Sequence, residues 1–169
     1  IVGPTEAEGN LEYPNVIKNY YYNEEKLEDA EIKMQNLCLN NIMKRNKLNN
    51  RLELIVGGDL LNQITITSYN IANKDIPFLG LYNACATFNE ALIILSNMLE
   101  NKQINNGIAI TSSHNLNAER QYRFPIEYGS QKKKYTTFTT TGAASMLLTT
   151  EATNIKIESS TIGTVIDYG

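Results

Sequence analysis

Tryptophan is absent from the 169 residues, histidine occurs once, at His114, and cysteine twice, at Cys38 and Cys85. Two distant cysteines make no disulfide framework. Neither has a CxxC or HxxxH neighbour, so no structural zinc and no other metal is expected. Free thiols in a reducing, cytosolic setting are the natural reading. No apolar run approaches the roughly 20 residues of a membrane helix. The longest apolar-rich stretch, Ala91 to Leu99, is broken by Ser96 and Asn97. Ile1 to Gly9 lacks the basic and apolar regions of a signal peptide. A formal net charge of −3 offers no global attraction for nucleic acid or anionic membrane. Aromatic-basic interleaving of the RNA-binding kind is missing. So are the GxGxxG, GxxxxGK[ST] and GxSxG motifs, and no cofactor is expected.

What is present suits one globular domain: 42% hydrophobic and 20% charged residues in a length that can bury a proper core. Asparagine is abundant, which reads as the coding bias of an AT-rich genome. Residues Ile1 to Tyr22 read as an irregular lead-in. From Asn23, a plausible N-cap followed by Glu24 and Glu25, the spacing turns helical. Leu27, Ala30, Met34, Leu37, Cys38 and Ile42 form one buried stripe, with Cys38 a small core residue. Leu52 to Val56 predicts a strand, closed by a loop at Gly57-Gly58-Asp59. A second helix is expected within Leu60 to Asn73 and a second strand over Ile76 to Tyr82. Ala84 to Glu100 is apolar on most faces, which predicts a buried central helix. Ile108 to Thr111 is a third strand candidate. Ser112 to Lys134 is a long polar connection of the kind that often carries function. Tyr135 to Thr140 and Ser145 to Thr149 read as strands separated by Gly142-Ala143-Ala144, and Ile155 to Val165 as a last strand. The alternation indicates a layered α/β domain.

Three places could carry chemistry. Cys85 lies where a strand ends and a helix begins, in Leu81-Tyr82-Asn83-Ala84-Cys85, where helix N–H groups favour a thiolate. An acyl-accepting nucleophile needs that arrangement, and a small residue packed at a crowded junction fits it equally. His114 follows the third strand. If the two strands are parallel neighbours, Cys85 and His114 share the sheet edge where ligands collect; otherwise His114 is a surface or hydrogen-bonded loop residue. Arg120 and Arg123, three apart, can present forked donors to carboxylates, or can pair with Glu119 or Glu127. Lys132 to Lys134 read as a solvated charge run.

The same segments resemble the stage V sporulation protein AD family. They are Val2-Gly3-Pro4-x-Glu6-x-Glu8-Gly9, Gly58-Asp59-Leu60-Leu61-Asn62-Gln63 and Ile76-Pro77-Phe78-x-Gly80-Leu81-Tyr82-x-Ala84-Cys85. Thr111-Ser112-Ser113-His114, the Ala118 to Gln131 block, Thr141-Gly142-Ala143 and the closing Thr161 to Gly169 belong with them. The resemblance implies a thiolase-like α/β fold of two related halves, each a mixed five-stranded sheet layered with helices. Residues 1–169 would be the N-terminal half, the second half being absent from this chain. It implies binding of dipicolinic acid, with or without calcium, by the spore machinery for dipicolinate uptake. The protein would be peripheral to the forespore inner membrane, beside the other membrane proteins of the stage V sporulation A complex, and a homodimer. It would not be an enzyme, because the catalytic partners of condensing relatives come from the second half; an acyl-transferring enzyme using Cys85 is the alternative. Cys85 matches the superfamily's nucleophile position, and His114 a pocket-lining histidine. Arg120, Arg123 and Tyr82 complete the expected ligand-binding set. Asn83, where the family often has Gly, is a departure near the pocket.

Overall fold

The computed structural model describes the chain except for residues 10, 49–50, 63, 120–138 and 168. Its first helix, α1, runs Leu27–Arg45 with Glu28 and Asp29 in the first turn and Lys44 and Arg45 in the last, the signs the helix dipole favours. It starts later than the sequence suggests. Tyr22 and Asn23 take left-handed backbone (φ 48° and 63°), so Asn23 belongs to a turn and Lys26 holds the N-cap position. The strands are β1 (Ile55–Gly58), β2 (Phe78–Gly80), β3 (Asn106–Ser113) and β4 (Gly142–Thr149), with α2 at Thr65–Ile71 and α3 at Thr87–Glu100.

One sheet has the order β2-β1-β3-β4. The first three strands are parallel and β4 runs antiparallel to β3. β1 sits inside and is buried along its length, as a central parallel strand should be. Gly57 and Gly58, expected as a loop, are part of it. A Cβ on Gly57 would stand 1.8 Å from the Ile110 carbonyl oxygen, so only glycine lets β1 and β3 approach. Gly142, Ala143 and Ala144 likewise belong to β4 and do not separate two strands.

Side chains alternate across the sheet. Val56 and Ala109 face α3, packing with Leu54, Leu81, Ala91, Leu95 and Leu148. Ile55, Ile108 and Ile110 face the other way, against Leu39 of α1 and Ile71 of α2. The result is three layers, helix, sheet and helix.

Two expectations are corrected. The sheet has four strands among the described residues, not five. Ile155 to Val165 forms no strand: Ile155 and Ile162 are 86% and 81% exposed. A β-rich sequence makes a strand only where a pleated, half-buried surface receives it, and no described part of the chain supplies one. On the outer edge of β4, among the described residues, only Val2 makes an isolated bridge, to Gly142. Second, α3 is not enclosed. Thr87, Ala91 and Leu95 are buried, while Phe88, Leu92, Ile94, Met98 and Leu99 are partly buried. Its apolar side chains outnumber what one sheet face can cover. The strand expected at Tyr135 to Thr140 falls mostly outside the described residues; Thr139 and Thr140 are not in a strand.

Candidate ligand site at the carboxyl edge of the sheet

Because β1, β2 and β3 are parallel, the segments that follow them meet at one edge, the place where open α/β sheets bind ligands. β2 leads to Tyr82 and Cys85, β1 to Asp59, and β3 to His114. Cys85 and His114 therefore do share an edge. They are not on neighbouring strands, since β1 lies between, a lateral offset of about 10 Å at ordinary strand spacing.

Cys85 occupies a short 3-10 turn, Ala84–Ala86, that runs directly into α3. Its side chain is exposed and its thiol free. Ala84 before it has φ 45°, a left-handed conformation that a Cβ-bearing residue rarely adopts and that is typical of functional turns. The N-cap of α3, Ala86, offers no side-chain cap. Thr87 Oγ1, buried in the first position of the helix, has no hydrogen-bond partner among the described residues. Tyr82 is exposed beside this turn. This end of the edge thus presents an open thiol and a phenol at the positive end of a helix dipole, although the Ala86 and Thr87 N–H groups already bond the Asn83 and Ala84 carbonyls.

The β3 end is closed. His114 is fully buried. Its Nε2–H donates to the Tyr20 carbonyl at 2.9 Å, and its Nδ1 accepts from the Leu116 N–H at 3.2 Å. A carbonyl can only accept and an amide N–H only donate, so the ring is held as one neutral tautomer. Burial lowers its pKa below 6.5, with the Tyr20 bond opposing. Next to it, Asn115 donates to the Thr139 carbonyl (2.8 Å) and Ser113 Oγ to the Thr140 carbonyl (2.6 Å). The Glu119 N–H donates to the Leu60 carbonyl at 2.9 Å. Glu119 on one side and Thr139 and Thr140 on the other are thereby fastened at this edge. Arg120 and Arg123, and Lys132 to Lys134, lie outside the described residues.

Behind the edge runs a network that the hydrophobic pattern does not announce. Gln35 of α1 splits its amide hydrogens between Thr67 Oγ1 (2.9 Å) and Ser112 Oγ (3.1 Å). Thr67 passes its own hydrogen to Asp59 Oδ2 and Ser112 its own to Glu31 Oε1, each at 2.8 Å. Glu31 Oε2 also accepts from Asn117 Nδ2 at 3.3 Å. Asp59 accepts further from the Leu61 and Thr67 N–H groups, fixing the loop into α2. On the other side Asn70 donates to Gln35 and Asn36 to Asn70, both at 2.9 Å, and exposed Asn40 donates to Asn36. Burial raises the Glu31 pKa from 4.5 to about 7, opposed by the Ser112 bond. Burial also raises that of Asp59, against its bonds from Thr67, Leu61 and Ile66. Glu31 and Gln35 could have been found by spacing, since 31, 34, 35 and 38 lie on one helical face. Their polarity hid them.

No group of three or more His, Cys, Asp or Glu among the described residues is arranged to hold a metal ion. A shallow cleft of about 460 Å3 runs along α1 between Tyr22, Lys33 and Asn36, and none of the edge residues lines it. Lys33 there already bonds Glu24 and the Tyr22 carbonyl. No described helix is long and apolar enough to cross a membrane.

The family model described as Stage V sporulation protein AD (SpoVAD) matches residues 1–169. Stage V sporulation protein AD of Bacillus subtilis (strain 168) is 34% identical over 170 residues, which cover 99% of this chain and 50% of that protein. The chain therefore spans about half the length of this curated relative.

Proposed function

The chain belongs to the stage V sporulation protein AD family, and from that premise we propose that it serves sporulation by binding dipicolinic acid without transforming it. The observation that carries this reading is the family match over every residue of the chain. The site's chemistry supports it. Dipicolinate is a flat pyridine with two carboxylates, which calls for N–H donors, forked cations and an aromatic wall. The start of α3 offers the positive end of a helix dipole, Cys85 a small polar surface, and Tyr82 an exposed ring. Arg120 and Arg123 would supply the forks. His114 would shape the wall from behind, its two nitrogens being engaged by backbone.

The same engagement favours binding over catalysis. One way to activate a cysteine is an adjacent base, and the one histidine of the chain, buried with both ring nitrogens held by backbone, does not supply it. The thiolase-like architecture belongs to this proposal, with these residues as its first half and a homodimer as the assembly. So does the working place: in the forespore, peripheral to the inner membrane, beside the other membrane proteins of the stage V sporulation A complex.

A second reading, acyl transfer through Cys85, is favoured by one feature, the left-handed Ala84 directly before an exposed thiol. Calorimetric titration of dipicolinic acid into the full-length protein separates the two. The same titration applies to the calcium salt of dipicolinate. Saturable, reversible binding that weakens in Cys85→Ala is expected. No binding, together with a covalent acyl adduct on Cys85 from a thioester donor, would replace the binder by the enzyme.

A further inference from the structure

Glu31 and Asp59 are two carboxyl groups sealed behind the edge, 0% and 1% exposed. Among the described residues no Lys or Arg pairs with either. A buried carboxylate without a cation is costly, so the arrangement of neutral donors around it must carry the anion when it forms. For Glu31 those donors are two: the Ser112 hydroxyl at the end of β3 and the Asn117 amide in the turn after it. That turn is the one that holds His114, closed by the Asn117 and Ala118 N–H bonds to the His114 carbonyl at 3.0 and 2.8 Å.

The two protonation states ask for different partners. An ionised Glu31 accepts from both Ser112 and Asn117. With a proton on Oε2, the acid becomes a donor, and the Nδ2–H group that Asn117 points at it no longer fits; the amide must present Oδ1 instead. Ser112 stays on the other oxygen, donating to Oε1 while it accepts from Gln35, so the group facing Oε2 is Asn117. Asn117 is therefore the element with two arrangements.

We propose that Glu31 is a titrating positioning residue for the ligand edge: gain or loss of its proton, exchanged with water, reorders Asn117 and the turn after β3, and so sets the affinity for an anionic ligand bound there. This rests on the ligand site proposed above. Its ionisation falls near neutral pH because burial opposes the charge. The charged neighbours facing it strengthen the effect: Asp59 from the loop after β1 and Glu28 one turn earlier in α1, both acidic. α2 presents only the neutral Thr67 and Asn70 to this network, and β3 only Ser112. An anion at Glu31 also repels an anionic ligand, so affinity falls as pH rises through the titration.

The test is the dipicolinate affinity of full-length wild type and Glu31→Gln between about pH 5.5 and 8.5, where the ligand's own carboxyls stay ionised. Wild type is expected to lose about fivefold or more with rising pH, a common size for coupling between sites. Glu31→Gln, neutral and of the same shape, is expected to hold the acidic-side affinity throughout. Identical pH profiles in the two proteins would overturn the proposal. A ligand-free reading keeps it separable from the binding hypothesis, and stands if the variant misfolds. The infrared band of a buried protonated carboxyl in wild type should vanish near neutral pH, and Asn117→Ala should move its midpoint. If dipicolinate does not bind at all, the proposal falls with the binding reading it rests on; if it binds, a band that is insensitive to pH, or that survives unchanged in Glu31→Gln, refutes Glu31's role by itself.

Discussion

At the β2 end of the carboxyl edge, Cys85 and Tyr82 stand exposed on a short turn with no side-chain cap on the helix that follows. At the β3 end, Ser112, His114 and Asn115 are buried, and each makes at least one bond to another part of the chain. One end is open to solvent; the other is committed to holding the chain. The contrast separates by exposure two residues that the sequence singles out, the lone histidine and a helix-start cysteine. A hydrogen-bonding side chain is available to a ligand only if the backbone has not already taken its donors and acceptors.

The largest effect should come from breaking what joins the two ends. Gly57→Ala drives a Cβ into the Ile110 carbonyl, parting β1 from β3, and is expected to cost about 3 kcal/mol or more by overpacking. Urea unfolding measures it, and a loss below about 1 kcal/mol would mean the strands part easily.

Next, Glu31→Gln should stabilise the protein, but only on the alkaline side. The folded pKa of Glu31 is raised above its unfolded value, so the folded state binds the extra proton. That contribution is fully present below pH 4.5 and is lost as pH rises to about 7. Removing the titration should therefore gain up to about 3 kcal/mol above neutral pH and little in acid. Thermal melts across pH decide this, and an equal gain at both extremes would refute it.

His114→Ala should cost about 2 kcal/mol, because it leaves a cavity and an unmet Tyr20 carbonyl. For His114 the sign runs the other way. Its folded pKa is lowered, so its contribution is present above pH 6.5 and is lost as pH falls. Denaturation at acid and neutral pH shows whether the penalty shrinks in acid as that requires.

The smallest effect is the sharpest test of the open end. Cys85→Ser should change stability by less than about 0.5 kcal/mol, as expected of an exposed position. In this chain alkylation should label Cys85 well before Cys38. Cys38 is partly buried, its Sγ–H donates to the Ala143 carbonyl, and burial raises its pKa. Equal labelling rates would erase the distinction between the ends.

Much of this architecture can be read from residue spacing. The strand and helix cores at Ile55–Val56, Ile108–Ala109-Ile110 and Ala91–Leu95 announce themselves because apolar periodicity records which side of an element meets the interior. The junction at Cys85 was equally legible, since a strand's end against a helix's start is a local event. So were the free thiols. Boundaries were less so: Asn23 looks like a cap, but its left-handed backbone belongs to a turn whose form depends on the Glu24 N–H bonding the Tyr21 carbonyl. Glu31, Gln35 and Asp59 carry no apolar signal, and only the meeting of α1, α2 and the loops after β1 and β3 buries them. The tail near Ile155 and Ile162 has strand-forming residues and no sheet to join. The sequence by itself thus determined the cores of the helices and central strands and which family they belong to, because both depend on residue types in local order. The tertiary structure alone decided that Cys85 is open, that His114 is sealed and that a carboxyl near neutral pKa lies behind them, because exposure and desolvation arise only when distant segments close over one another.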